Sequence, residues 1–546
     1  MVCCEDALMN VGFRKMAAQI KKLHRDTTVY YVAYNNYRSM KSILLGRYGD
    51  APSVPDEVIC EMASPLAQAD LVAFSSMTGY APLTRGLIQR IRKINPDAFI
   101  VWGGIHPIIV PEDAIQYADA ICTGEGEFAF ESFLEAFKKG EDFTTTNNFW
   151  FRYKSVQDKE KIIKNSFLPL MTNDQMNALP QLSYGEEEWI YSRKNGGYIP
   201  LSRELYIRYN GLGYNTVWSI GCPFKCSYCG NTKFIENDAA YRKIRHPSVQ
   251  YILDEIKQAR TVHHHISNIV FHDDSFMALP METLSIFAKK YKQQIDLPFA
   301  VYGVIPNYVR EDKLALLVEA GLNRVRMGIQ NGSENILKFY ERPTPPQKVL
   351  ESARIINKFK KFMIPPAYDI ILDNPIETRE DVVTNLEFIR ELPRPFTLNV
   401  FSLRVIPNTS LEKKLKMMKI SLDEISANYV GVFPSLANCL VFIMAAMPIP
   451  DWVFQRWLKK VQPVLSPQKH HPYLLAVCRA VFLVRRFFDH LKFMDFTVIT
   501  GNKIVYLAWK VGLVKFWQKH ILAKFVPSLG SVILPPEVRY QKSDQR

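Results

Sequence analysis

The segment "SIGCPFKCSYCGN", residues 219–231, places Cys222, Cys226 and Cys229 within eight residues, with no fourth cysteine nearby. The run that leads into it, "TVWSIG" (216–221), is short, apolar and closed by glycine, which is the pattern of a strand. A structural zinc site closes its tetrahedron with four ligands. The nearest further candidate, His246, lies 17 residues beyond Cys229 and lacks a partner at ligand spacing. A cubane iron–sulfur cluster can instead be held by three thiolates, leaving one iron open to another ligand. The C-x3-C-x2-C spacing therefore favours iron–sulfur over zinc, and both over chance clustering.

Downstream of the loop, apolar runs alternate with helical segments. The strands expected are 216–221, "NIVFHDDS" (268–275), "FAVYGVI" (299–305), "RVRMGIQ" (324–330), "YDIILD" (368–373) and "LNVFSLRVI" (398–406). Six strand–helix units predict a part-barrel with its chemistry at the strand carboxyl ends, where the cysteine loop sits. Upstream, "TTVYYVAYN" (27–35), "ADLVAFSSMT" (69–78), "AFIVWGGIHP" (98–107) and "ADAICTGEGE" (119–128) alternate with amphipathic helices, the pattern of a doubly wound parallel sheet. Only "VCC" remains for its first strand, which such a sheet puts at its centre. Residues 141–200 read as a loop-rich linker containing one hairpin, "FWFRYKSVQDKEKIIKN". The expected division is a Rossmann-like domain over 1–140, a linker over 141–200, a partial (β/α)6 barrel over 201–430 and a mostly helical region over 431–546.

The 546 residues are 48% hydrophobic and 22% charged, so the chain is globular. Nine scattered and clustered cysteines are no disulfide framework. The start, "MVCCEDALMNVGFRK", has no basic segment followed by an apolar core, and the longest apolar run, "CLVFIMAAMPIP" (439–450), is too short to span a bilayer. The expected location is the cytoplasm. Of the net charge of +14, residues 440–546 carry +11, from 16 Lys/Arg against 5 Asp/Glu, interleaved with 16 aromatic residues. Two readings stand side by side: peripheral contact with the inner face of the cell membrane, or a helical cap on the barrel with snorkelling lysines. Nucleic-acid binding ranks third, because the charge forms no continuous stripe.

With Tyr228 before the last cysteine, C-x3-C-x-aromatic-C resembles the radical S-adenosylmethionine enzymes. The resemblance implies a [4Fe–4S] cluster on Cys222, Cys226 and Cys229. Its open iron chelates S-adenosylmethionine, which an electron cleaves to a deoxyadenosyl radical. It implies an external electron donor such as flavodoxin or ferredoxin. It extends to "FHDDSF" (271–276), "MGIQNGSENILKFYERP" (327–343) and "SLRVIPNTSLEKKLK" (402–416). Tyr228, Asp273, Asp274, Gln330 and Ser333 become candidates for binding S-adenosylmethionine. "ILDNPIET" (371–378) departs from the family's Gly-Leu-Pro-Gly-Glu-Thr at residues 373–376. Each residue also has a structural reading: Asp273 and Asp274 capping a turn, Glu377 beginning a helix, Arg324 and Arg326 pairing with carboxylates, His263 to His265 in a solvated loop.

"LVAFSSMTGYAP" and "VWGGIHPIIVPEDAIQYADAICTGEGE" resemble the cobalamin-binding domain that precedes many of these enzymes. The resemblance makes Ser75, Ser76, Thr78, Gly103, Gly104, His106, Gly124 and Glu125 cobalamin candidates, with the two glycines admitting a bulky ring. The histidine motif that ligates cobalt from below in other cobalamin proteins is absent from this sequence. Together these features imply a cobalamin-dependent radical S-adenosylmethionine enzyme, a methyltransferase acting on an unactivated carbon of an apolar or lipid-like substrate. The alternatives are a cyclase or rearrangement enzyme with the same cofactors, and a membrane-attached cobalamin or redox sensor that is not an enzyme.

Overall fold

A computed structural model describes residues 1–5, 8–33, 54–154, 160–182, 187–421, 432–491, 503–517 and 520. Two sheets organise the chain. The first has nine strands: β1 (Val2–Cys3), β2 (Val29–Tyr31), β3 (Leu71–Ser75), β4 (Phe99–Gly103), β5 (Ala120–Cys122), β6 (Phe149–Lys154), β7 (Glu160–Lys164), β8 (Glu188–Ser192) and β9 (Gly197–Pro200). Their order is β7-β6-β5-β4-β3-β1-β2-β8-β9. The two residues of β1 hold the central place, hydrogen-bonded in parallel to β2 and β3. Helices α1 (Val11–Leu23), α2 (Ala81–Ile94) and α3 (Glu127–Lys139) carry buried apolar faces that cover this sheet. The strands are shorter than the apolar runs because the runs included the polar turn at each carboxyl end. Residues 34 and 35 of the expected first run lie outside the described residues.

The linker expected over 141–200 contributes four strands to the first sheet. β6 and β7 extend one edge as an antiparallel hairpin, with its turn outside the described residues; β8 and β9 extend the other edge. Phe149 and Phe151 are buried beneath β6, in an aromatic cluster with Phe130 and Phe133 of α3. On β8 a carboxylate stands where an apolar residue would announce a strand. Glu188 is 2% exposed and pairs at 3.3 Å with Arg14 of α1, itself buried against the Tyr31 ring.

The second sheet is wholly parallel and runs β10 (Gly213–Thr216), β11 (Asn268–Phe271), β12 (Phe299–Val304), β13 (Leu322–Gln330), β14 (Ala367–Leu372), β15 (Thr397–Ser402), in chain order. Its first strand lies upstream of the run 216–221, whose residues 217–221 have already left the sheet toward the cysteine loop. In β13 the residues Val325, Met327 and Ile329 are buried under the helices, while Arg324, Arg326, Gly328 and Gln330 face the lumen, as the alternation of a strand requires. His263 and His265 are buried, not solvated: both rings lie against Tyr206, at 4.4 and 5.3 Å. Burial pushes them down to about 4 and about 3, so they are neutral in the fold.

The apolar run that opens the basic region forms α4 (Leu436–Ala446), nearly all of it buried. It packs against α5 (Pro472–Leu491), where Phe482 meets Phe442 at 5.6 Å and Arg479 lies over the same ring. Leu475, Cys478 and Phe482 of α5 join the barrel core, so this part of the region is a cap. The opposite face of α5 exposes Tyr473, Val477, Val484 and Phe488. Among the described residues no helix is long and apolar enough to cross a membrane.

The Arg14–Glu188 pair ties α1 to β8, and removing one partner of such a buried pair costs about 3–5 kcal/mol. Glu188→Ala should lower the urea midpoint of the domain holding the first sheet. Arg14→Met combined with Glu188→Leu should restore most of it, as read by near-ultraviolet circular dichroism.

Candidate active site

The carboxylate of Asp273, just past β11, accepts hydrogen bonds from the backbone N–H of Trp218 (2.9 Å) and Ser219 (2.7 Å) and from the Ser219 hydroxyl. It is 1% exposed. It therefore fixes the point where the chain leaves β10 for the cysteine loop. Gly303 of β12 makes room for this turn: it has φ +66, and a Cβ there would sit 1.9 Å from the Asp273 carbonyl oxygen.

The loop is pinned at its middle. Ser227 N–H donates to the Tyr340 carbonyl (2.8 Å), and the Ser227 carbonyl accepts from Leu411 N–H (3.1 Å). The stretches 327–343 and 402–416 thus hold the loop from two sides. Cys222, Cys226 and Cys229 are free thiols. Burial pushes the Cys229 thiol up to about 12, with Asp274, Cys226 and Cys222 adding to it, and burial likewise raises Cys222, with Asp274 and Cys226 adding to it. The three sulfurs are therefore near enough for charge on one to be felt by the others. Among the described residues no three His, Cys, Asp or Glu side chains surround a point as a single ion requires. Three thiols on one short loop are the donor set that a cubane takes, so the residues present fit it.

Arg342 completes the loop's surroundings, and sequence reasoning missed it although it lies within the quoted 327–343. Its Nη1 is 3.7 Å from the Cys226 Sγ and 3.4 Å from the Tyr228 hydroxyl, and its Nη2 donates to the Gly328 carbonyl at 2.8 Å. A guanidinium here balances thiolate charge in a partly dry site. Tyr228 packs edge-on against Tyr340 at 5.0 Å. Asp274 accepts from the Tyr241 hydroxyl at 3.2 Å. Gln330 ends β13 with φ +66, its side chain on the lumen face. Ser333 is engaged elsewhere, its hydroxyl donating to Asp381 at 2.5 Å. Asp373, where the sequence departs from the family pattern, accepts from Ser402 Oγ, Phe433 N–H and Asn438 Nδ2. It ties the C-terminal cap to the end of β14.

Between the carboxyl ends of the two sheets lies a cavity of about 1210 Å³. Ser75, Gly103, Gly104, Gly124 and Glu125 line it from the first sheet, and Tyr241 from beside the cysteine loop. Ser76 and His106 are spent within the domain. The Ser76 hydroxyl accepts from Trp102 Nε1 (2.9 Å), and His106 bonds Asp113 (2.9 Å) and packs on Trp102. Neither they nor Thr78 is among the lining residues. Glu125 is held by Arg245 at 2.6 Å. The two glycines differ. A Cβ on Gly104 would lie 2.8–3.0 Å from Ser75 and Ser76, at φ +87, so the fold itself requires glycine; a Cβ on Gly103 would find its nearest neighbours at 3.8 Å.

The lumen carries a polar belt with a member from or beside every strand. His272 Nε2 bonds Asn215 Oδ1 (2.8 Å) and meets the Tyr302 ring edge-on; Arg326 reaches over that ring and pairs with Asp369 (2.8 Å). Asn399 Nδ2 donates to Asp369 (2.8 Å), and Arg486 of α5 donates to Asn399 Oδ1 (3.5 Å). The carboxylate-pairing reading of Arg326 therefore describes its contact.

Residues 216–389 match the family model of the radical SAM superfamily, and residues 43–134 that of the B12 binding domain. Residues 216–389 form a domain of the radical SAM superfamily. The B12 binding match covers β3, β4 and β5 of the first sheet, and the radical SAM match covers β11, β12, β13 and β14 of the second. An uncharacterized methyltransferase of Pyrococcus horikoshii is 24% identical over 329 residues, 59% of this chain and 64% of that protein. An anaerobic magnesium-protoporphyrin IX monomethyl ester cyclase of Rubrivivax gelatinosus is 24% identical over 330 residues, 58% of this chain and 51% of its own. The chain thus matches between about half and two thirds of the length of these curated relatives. The fold resembles that of the radical S-adenosylmethionine methyltransferase TsrM of Kitasatospora setae with cobalamin and a [4Fe–4S] cluster bound, at 17% identity and TM-score 0.54, over 76% of this chain and 74% of that one.

Glu377, half-buried and bonded by Asn331 Nδ2 (3.0 Å), is pushed up to about 8, by desolvation first and then by Asp373. Between its unfolded value of 4.5 and about 8 the folded state binds more protons than the unfolded one, so this group's contribution falls as pH rises through that window. Glu377→Gln should flatten the fall of thermal stability between pH 5 and 8, measured by differential scanning fluorimetry.

Proposed function

We propose that this chain is a cobalamin-dependent radical S-adenosylmethionine enzyme and that it transfers a methyl group to an unactivated carbon. The observation that carries this reading is the cavity shared by the carboxyl ends of both sheets, lined at the barrel by Val217 and Ile220 from the root of the three-thiol loop. The P. horikoshii relative, described as a methyltransferase, favours methylation. The R. gelatinosus relative, described as a cyclase, favours the second reading, cyclisation with the same cofactors. A sensor without turnover has no comparable support.

When bound, the cluster supplies the electron that cleaves S-adenosylmethionine to a radical, and cobalamin supplies the methyl group. The chain's own work is placement. Cys222, Cys226 and Cys229 hold the cluster, and Arg342 offsets its thiolate charge. Tyr228, Asp274 and Gln330 contact S-adenosylmethionine, while Asp273 and Ser333 hold their segments in position. Ser75, Gly103, Gly104, Gly124 and Glu125 line the cobalamin seat; Ser76, Thr78 and His106 shape it from behind. The cobalamin-binding unit extends to Pro200, the barrel covers 201–430, and the cap that follows keeps water from the lumen. The electron arrives from a flavodoxin- or ferredoxin-like donor.

Any of Cys222→Ala, Cys226→Ala and Cys229→Ala should abolish cluster assembly and deoxyadenosine formation after anaerobic reconstitution. Gly103→Leu should keep the fold and its iron but lose cobalamin, since its side chain would enter the cavity. Iron, sulfide and deoxyadenosine retained in all three cysteine variants would refute the cluster assignment. A wild type that takes up no cobalamin would refute the cobalamin seat.

A cytoplasmic protein with peripheral membrane contact is the finer proposal for location. The exposed apolar stripe of α5, with Arg485 beside it, would meet an anionic surface. Cosedimentation with anionic vesicles at low salt, weakened at high salt, should follow, and Val484→Asp with Phe488→Asp should abolish it.

A further inference from the structure

The belt in the lumen has more cation than it needs for its own architecture. Arg326 is neutralised by Asp369, the one carboxylate that the belt holds among the described residues. Arg486, one step further, meets only the neutral Asn399 amide, at the long distance of 3.5 Å, and its Nε is buried without a hydrogen-bond partner. Arg479 lines the same cavity from the preceding turns of α5. Burial, together with Arg324 and Arg326, pulls the Arg486 guanidinium down to about 10 against the opposite pull of Tyr302 and Asp369, and His490 is held neutral by burial with Arg324 and Arg486. Around these cations the wall is apolar: Leu398, Phe401, Phe442 and Phe482. A guanidinium with open donors in such surroundings is a bidentate seat for a carboxylate or phosphate. The acidic lining residues are Glu5, Glu125 and Glu127 from the first sheet and Asp238 from the segment after the cysteine loop, and Glu125 is already paired with Arg245.

We propose that Arg326, Arg479 and Arg486 seat the oxyanion of an otherwise apolar substrate at the barrel end of the cavity. The inference rests on the reading of this cavity as the reaction chamber, and it names the substrate class: an amphiphile carrying a carboxylate or a phosphate. It also sets polarity, since the anion is held by the α5 side and the apolar body extends toward the first sheet. The carbon that reacts is then remote from the charged group.

The test uses the full-length, reconstituted protein and equilibrium dialysis with decanoate, decyl phosphate and decanol below their aggregation limits. At least one anion should bind about tenfold tighter than decanol, the scale of one charge-assisted hydrogen-bond pair; the tighter of the two identifies the oxyanion. Arg486→Gln should lose that preference while binding decanol as before, and Arg486→Lys should recover part of it. Arg479→Gln serves if the first variant does not fold by circular dichroism. Lys459→Gln with Lys460→Gln, on the exposed surface, should keep the preference. Equal binding of all three probes, an unchanged preference in Arg486→Gln, or loss of preference in the surface variant would overturn the proposal. Deoxyadenosine formation is read in the same samples. Anion preference without it overturns the enzymatic reading alone, and cleavage without anion preference overturns this proposal alone.

Discussion

The carboxylate of Asp273 is the constraint on which the site depends. It takes two backbone N–H groups and a hydroxyl from residues 218 and 219, all in the dry interior. Unmet, those donors would each carry a desolvation penalty, so the chain has one low-energy way to leave β10. The direction of that exit decides where the three thiols arrive. Ser227 then fixes the loop's middle against residues 340 and 411, and Arg342 takes its place beside Cys226. A loop that must present three side chains together is thereby over-determined at its root and centre, although it contains almost no regular structure.

Much of this was legible in the sequence, because it rests on local pattern. The cysteine spacing, the strand–helix alternation on either side and the polar turns at strand ends all depend on residues close together in the chain. The six barrel strands and the central β1 follow from that alternation. The turn-capping reading of Asp273 also describes its contacts. What was not legible depends on distant partners. The strands within 149–200 pair with edges formed much earlier, and β8 carries a buried glutamate that only Arg14, 174 positions upstream, makes tolerable. Gly104 and Gly103 look alike in sequence. Only the packing shows that the backbone of Ser76 demands one and leaves space beside the other. Arg486 enters the lumen from a helix 87 positions beyond its partner Asn399, and no periodicity announces that. The departure at Asp373 is explained in the same way, by a C-terminal cap whose anchoring groups lie at 433 and 438.

The basic, aromatic region shows how one composition serves two surfaces. Leu475, Cys478 and Phe482 sit at helical spacing and close over the barrel, while Tyr473, Val477, Val484 and Phe488 occupy the other side of the same helix. Hydropathy alone reports the sum of the two faces and assigns neither.

The wall that α5 contributes to the cavity has a consequence in time as well as in space. Both sheets are built from residues that leave the ribosome before residue 472, and domains of a growing chain form in that order. Until α5 docks, the lumen lacks Arg479, Phe482 and Arg486 and stays open along that side. A large guest has an interval in which to enter a chamber whose last panel has not yet been made.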